Sequence, residues 1–145
     1  MALVFLESWQ HECCGAPFAV CDDVTWPLRA DPDHAHLAVR LGADVGKRVT
    51  AEVERHADGV PQVRLRVTRI RAAFCTFEPD PVGAHGVTHR PVPGTTVLGD
   101  LRSVDRTHEV LGGQQWLGYV VDAQPLDSRR PADRDGQQVA GPRGR

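Results

Sequence analysis

The sequence has no long hydrophobic run, and this absence limits where the protein can act. No stretch approaches the roughly 18 apolar residues that a membrane-spanning helix needs. Residues 1–6 carry no basic leader and are followed at once by Glu7, so we expect no secretory signal. We therefore expect a cytoplasmic protein with no membrane contact, whose cysteines are reduced thiols: Cys13, Cys14, Cys21 and Cys75.

Lysine is almost absent, and the overall charge is close to zero. Lys47 is the one lysine among 17 basic residues, and the formal net charge is -2. A net charge of this size creates no long-range field that would draw the protein to nucleic acid or to an anionic membrane. The sequence also lacks Walker, dinucleotide-binding and HExxH motifs, which removes the standard nucleotide-binding and metalloprotease functions.

The sequence does contain a series of short strand patterns. Residues 2–8, 24–26, 95–104 and 116–121 have the apolar, β-branched or aromatic character of strands. A helical pattern over residues 34–41 follows possible N-caps at residues 31–33 and stops before Gly42. Residues 78–94 are rich in proline, glycine and histidine, which predicts an irregular loop that closes in a turn over residues 91–94.

Two alternating segments predict a β-hairpin and a bulge. Residues 49–53 and 63–67 flank Asp58-Gly59, a favoured hairpin turn pair. Further along the second segment, the apolar positions change from odd to even numbers: Val63, Leu65 and Val67, then Ile70, Ala72 and Phe74. Because both sets must face the core, we expect a one-residue slip at a bulge near Thr68-Arg69.

These patterns together predict a mainly β fold. Five or six short strands with one short helix indicate a small antiparallel β-barrel of the SH3-like or OB-like type. After residue 126 the composition changes to Arg, Asp, Gly, Gln and Pro, which buries too little apolar surface to fold. We expect a single β-barrel domain over residues 1–126 and a disordered tail over residues 127–145.

The segment WQHECCGAPF, residues 9–18, combines two adjacent thiols, an imidazole, a carboxylate and a Gly/Pro turn. Together with residues 23–26, 70–75, 91–94 and 118–122, it resembles a family of small actinobacterial proteins that carry a domain of unknown function. The resemblance covers most of residues 3–126 and implies no activity. Since this chain has Cys21 where the family pattern has glycine, the resemblance favours the other thiols: Cys13, Cys14 and Cys75.

The cysteines and histidines suggest a metal site. Zinc takes four Cys or His ligands in a tetrahedron, and a turn at Gly15 and Pro17 would bring two adjacent sulfurs to one side. The candidate zinc ligands are three thiols and a histidine: Cys13, Cys14 and Cys75, with His11, His85 or His89. Two alternatives stay open: a cysteine nucleophile with His11 as its base, and thiols that only pack in the core, which Cys75 fits well.

A row of arginines follows the predicted long strand: Arg64, Arg66, Arg69 and Arg71. On an OB-like barrel such a face, with Trp26 nearby, predicts a surface for a single strand of nucleic acid. The alternative is a solvated face in which Glu52 and Glu54 pair with the arginines across strands. The negative net charge favours this alternative.

Because no catalytic signature is present, the sequence favours a non-catalytic module that binds a partner, either a protein or a nucleic acid. A metal- or thiol-dependent protein centred on Cys13, Cys14 and Cys75 is the main alternative, and nucleic-acid binding through the arginine face is the second. The positions of the sulfurs distinguish these hypotheses, since Zn–S bonds near 2.3 Å require sulfurs about 4 Å apart or less.

Overall fold

The computed structural model describes residues 1–80 and 88–126, and these residues form a mainly β structure. The helices are α1 (Ser8–Cys14), α2 (His34–Leu41) and α3 (Ala43–Arg48). The strands are β1 (Ala2–Glu7), β2 (Phe18–Ala19), β3 (Asp23–Arg29), β4 (Ala51–Val53), β5 (Gln62–Cys75), β6 (Phe77–Asp80), β7 (Thr88–Pro91), β8 (Val97–Leu101), β9 (Ser103–Val104) and β10 (Gln115–Pro125). The expected tail over residues 127–145 lies outside the described residues.

Five of these strands close into a barrel, which confirms the prediction of a mainly β fold with a small β-barrel. Its order is β10-β1-β4-β3-β5, and pairing of β5 with β10 completes the ring, while β8 extends the sheet from β5. The pairing of β1 with β4 is parallel, with Val4 opposite Ala51, and the other barrel pairings are antiparallel. One apolar cluster fills the barrel interior and includes Val4, Leu65 and Tyr119.

The bulge predicted near Thr68-Arg69 is confirmed. Val67 pairs with Ala123 and Arg69 pairs with Asp122, so the register shifts across Thr68. The Thr68 hydroxyl donates a hydrogen bond to the Asp122 carbonyl at 3.0 Å. The shift keeps both apolar sets of β5 buried, first Leu65 and Val67, then Ile70, Ala72 and Phe74.

The predicted hairpin of residues 49–53 with residues 63–67 is wrong. Strand β3 lies between β4 and β5, with Leu28 opposite Val53 and Trp26 opposite Val63. Asp58-Gly59 does lie in a turn, since Gly59 has φ +76°, but the turn joins two strands that are not neighbours. Alternation of apolar and polar residues indicates that a strand is half-buried. It does not determine which strand pairs with it, because that depends on packing between segments distant in sequence.

The helix predicted over residues 34–41 is confirmed as α2. Asp33 caps it, because its Oδ1 accepts a hydrogen bond from the His36 amide at 3.0 Å. The sequence patterns missed α1 and α3. Helix α3 packs closely on α2, where a β-carbon on Gly46 would lie 2.6 Å from the Ala38 Cα. No helix in the described ranges is long and apolar enough to cross a membrane.

A second apolar cluster lies between the barrel wall and the helices. It joins Leu37 and Leu41 of α2 to strand residues that include Phe5, Cys75 and Leu117. Two layers of apolar side chains therefore cover both faces of β1 and β10. At Gly118 these strands approach so closely that a β-carbon would overlap the Leu6 carbonyl oxygen.

The predicted irregular loop over residues 78–94 is wrong over residues 78–80 and 88–91, which lie in strands β6 and β7. Strands β6 and β7 pair antiparallel, and Arg90 Nε lies 2.8 Å from Glu78 Oε2. Residues 81–87 lie outside the described residues. The expected turn over residues 91–94 is present, with φ +81° at Gly94. The predicted strand over residues 95–104 is divided into β8 and β9.

Candidate metal centre

Helix α1 places the two adjacent thiols on one side of the chain. In place of an extended strand, residues 8–14 form a short helix that ends where the Gly15 amide donates to the His11 carbonyl at 2.8 Å. Cys13 and Cys14 are exposed at this end, and their sulfurs are 2.6 Å apart. In a strand, two neighbouring side chains would point to opposite faces. The helical turn instead brings both thiols to the same side.

His56 completes a group of three donor atoms. Its Nε2 lies 3.3 Å from Cys13 Sγ and 3.7 Å from Cys14 Sγ. All three donors lie within 4.8 Å of one another and are exposed. The Trp9 ring stacks on the imidazole, with centroids 5.1 Å apart and planes 23° apart, which restricts the orientation of His56.

Gln10 connects α1 to the segment that carries His56. Its side-chain oxygen accepts from the Arg55 amide at 3.0 Å, and its side-chain nitrogen donates to Glu54 Oε2 at 3.1 Å. The same Glu54 oxygen accepts from the His56 amide at 3.1 Å. Gln10 is 2% exposed. The connection between β4 and β5 is therefore tied to the helix immediately beside the thiols.

Hydrogen bonding between the two thiols raises the pKa of Cys13 above its usual value, and nearby Arg55 partly opposes this effect. Hydrogen bonds from Gln10 and from the His56 amide lower the pKa of the Glu54 carboxyl. Cys13 is consequently a protonated thiol at neutral pH. A metal ion that binds there releases the proton, so its affinity rises with pH.

Two of the expected ligands lie elsewhere, in the core. Cys75 is fully buried in the cluster between barrel and helices, outside the three-donor group, and burial raises its pKa. Its position agrees with the alternative of a thiol that packs as a small hydrophobe.

His11 is the second expected ligand that lies in the core. It is 1% exposed, and its Nε2 lies 2.7 Å from the Asp105 carbonyl oxygen. Its ring contacts Phe18 and Tyr119 edge to face. It therefore lies outside the three-donor group, in which the histidine is His56.

Of the two histidines expected from the proline-rich loop, the structure describes one, and it lies outside the three-donor group. His89 lies on β7, opposite Pro79, and is exposed. His85 lies outside the described residues. His56 itself was missed because it is 42 positions from Cys14 and shares no ligand spacing with the thiols. The one feature of the sequence that could have pointed to His56 is its place in the long polar connection after β4.

The arginine row is paired with acidic side chains. Asp23 Oδ1 lies 2.8 Å from Arg66 Nε and its Oδ2 lies 3.4 Å from Arg64 Nη2. The other two pairs are Arg69 with Asp100 at 2.8 Å and Arg71 with Asp122 at 3.6 Å. The prediction that Glu52 and Glu54 pair with the arginine row is wrong, because both carboxylates pair with Arg29. Trp26 is 5% exposed and packs against Phe18, so little of its ring faces solvent.

A family model matches residues 1–125, and its description is a family of unknown function, DUF6578. The chain belongs to this family. The matched region of this DUF6578 member contains α1, His56 and all the described strands. No curated protein matches the chain significantly, and no solved structure does.

Two thiolates and an imidazole are ligands that zinc and other thiophilic metal ions accept in proteins. In this DUF6578 chain they would supply three protein ligands to such an ion, and a fourth ligand would come from water or another group. Zn–S bonds near 2.3 Å in a tetrahedron place two sulfurs about 3.8 Å apart. The sulfurs of Cys13 and Cys14, now at 2.6 Å, must therefore rotate apart by about an ångström, and their exposure allows this.

Proposed function

We propose that the protein is a small, non-catalytic β-barrel module that binds a thiophilic metal ion, zinc in the first instance, through Cys13, Cys14 and His56. The observation that carries the proposal is the convergence of three donor atoms within 4.8 Å, two from α1 and one from the connection after β4. A reducing cytoplasm would keep both thiols available. The cytoplasmic location, the actinobacterial origin and the division into a barrel domain over residues 1–126 and a tail over residues 127–145 stay predictions.

Zinc binding can be measured on the full chain purified without chelator. We expect about one zinc per chain by elemental analysis, and a thiolate-to-metal charge-transfer band when cobalt replaces zinc. Cys13→Ser, Cys14→Ser and His56→Gln should each lower zinc affinity at least tenfold, since each removes one of three ligands.

The chain provides matched controls for these variants. Cys21→Ser removes an exposed thiol, and His89→Gln an exposed imidazole, that lie outside the three-donor group, so neither should change the affinity. Less than about a tenth of a zinc per chain, or equal losses in controls and ligand variants, would refute the proposal.

Partner binding is the wider form of the same proposal. Trp9 is 48% exposed beside the three donors, and a half-exposed tryptophan is typical of residues that anchor a partner. Trp9→Ala should weaken binding of a protein that co-purifies with the chain.

Nucleic-acid binding has less support, because the four arginines of the row already have carboxylate partners. A gel shift that weakens as salt rises would favour it, and the absence of any shift would remove it.

A further inference from the structure

A cleft of about 290 Å³ lies beside the three donors. Pro17, Phe18 and Trp26 form its apolar lining, and Arg55 and Cys14 contribute polar groups. Its volume lies at the lower limit of small-molecule sites, about 300 Å³. The cleft therefore suits a ligand of about the size of one substituted ring.

Arg55 differs from the paired arginines around it. Within residues 1–80 and 88–126 it takes part in no ion pair, and its Nη1 atom is buried without a hydrogen-bond partner. That atom is enclosed by the protein, whereas the rest of the Arg55 side chain is partly exposed and lines the cleft, so its remaining N–H groups can donate to an acceptor that a ligand brings. The guanidinium keeps its charge at any physiological pH, although burial lowers its pKa.

The other charged groups at the cleft do not compete for Arg55. Asp23 also lines the cleft, but its carboxylate already accepts hydrogen bonds from Arg64 and Arg66. An incoming anion therefore meets one uncompensated positive charge next to an apolar lining.

We propose that this cleft binds a small organic monocarboxylate with a flat apolar body, whose carboxylate accepts hydrogen bonds from Arg55 and whose body packs on the exposed Pro17 and the half-buried Val24. A planar guanidinium matches the two oxygens of a carboxylate, and a single arginine balances one negative charge. The binding does not require metal and so goes beyond the zinc site.

Benzoate is a suitable probe, titrated by calorimetry into the metal-free full chain in the presence of EDTA. We expect one saturable site with a dissociation constant in the millimolar range, as for a fragment-sized ligand. Amide and indole N–H signals of Phe18 and Trp26 should shift in the NMR spectrum as the site fills. Benzyl alcohol, of similar shape but neutral, should bind at least tenfold more weakly.

Arg55→Gln should weaken benzoate binding at least tenfold, and Arg55→Lys, which keeps the charge without the planar fork, should give an intermediate loss. Arg102→Gln removes an exposed positive charge elsewhere and should leave binding unchanged. Circular dichroism confirms that each variant is folded, and Arg55→Lys keeps the test valid if Arg55→Gln does not fold.

Three results would overturn the proposal: no saturable benzoate binding, equal affinity for benzyl alcohol, or equal losses in the Arg55 and Arg102 variants. Tighter binding of inorganic phosphate than of benzoate would also overturn it, because the site would then select anions without regard to an apolar body. Since EDTA removes metal from every sample, none of these outcomes bears on zinc binding.

Discussion

Replacing Gln10 by methionine tests whether the metal centre depends on the link between α1 and the segment before β5. Methionine keeps the length of the side chain but loses the hydrogen bonds to the Arg55 amide, 3.0 Å, and to Glu54, 3.1 Å. A neutral hydrogen bond contributes about 1 kcal/mol and one to a charged group about 1.5–3 kcal/mol. Gln10→Met should therefore lower the free energy of unfolding by about 2–4 kcal/mol.

The same substitution should weaken zinc binding without removing a ligand. Gln10 positions the backbone next to His56, and loss of such a supporting group typically costs about 10–100-fold in metal affinity. Affinity can be measured by competition with a chromophoric chelator, and stability by urea denaturation followed by circular dichroism. Gln10 is a positioning residue, so a fall in affinity of the folded variant is the decisive readout.

Gln114→Met provides the matched control. Gln114 also makes two hydrogen bonds, to the Thr95 carbonyl at 3.1 Å and to the Thr76 hydroxyl at 3.5 Å, but it is not hydrogen-bonded to the Cys–His group. The Gln114→Met variant should be less stable than the unmodified protein but should retain its zinc affinity. Unchanged zinc affinity in Gln10→Met, or an equal loss in both variants, would show that the reasoning about positioning is incorrect.

Two further predictions concern the barrel. Gly118→Ala should lower the free energy of unfolding by about 3–5 kcal/mol, because Gly118 has φ +144° and a β-carbon there would overlap the Leu6 carbonyl oxygen. Gly99→Ala, in open space on β8, should instead raise it by about 0.5–1 kcal/mol. Similar urea midpoints for the two variants would contradict this prediction. Tyr119 is the one tyrosine of the chain, and burial together with its hydrogen bond to Glu109 raises its pKa above the usual 10.0. Stability should therefore fall as pH rises above about 10, where the unfolded chain loses the phenolic proton first, and phenolate absorbance that appears near pH 10 while the fold is intact would argue against it.

The sequence contained enough local information for the strands and for one bend. The bulge at Thr68 follows from a change of parity, and the cap at Asp33 from local chemistry, so both were predictable. The neighbour of β4 was not, because β3 enters between β4 and β5 through contacts distant in sequence. Helix α1 was missed because seven residues with adjacent cysteines carry too short a pattern to distinguish a helix from a turn.

The candidate site was half predictable. Two adjacent thiols next to a Gly/Pro turn singled out Cys13 and Cys14. Two of the other ligands chosen, Cys75 and His11, lie in the core, since ligand type alone does not distinguish a buried side chain from an exposed one. The hydrogen bonds of Gln10 and the stacking of Trp9 hold His56 beside the thiols, and contacts between distant segments leave no periodic signal in the sequence.

The closure of the barrel by β10 has a consequence for how the chain folds during synthesis. Strand β1 has two neighbours: β4, through two residue pairs, and β10, through six, from Ala2 with Ala123 to Glu7 with Gly118. Until β10 has left the ribosome, β1 therefore exposes most of one edge and the apolar side chains of Val4 and Leu6. Folding of the barrel therefore waits for the synthesis of β10, and the chain that precedes β10 is the form most exposed to aggregation and to chaperones.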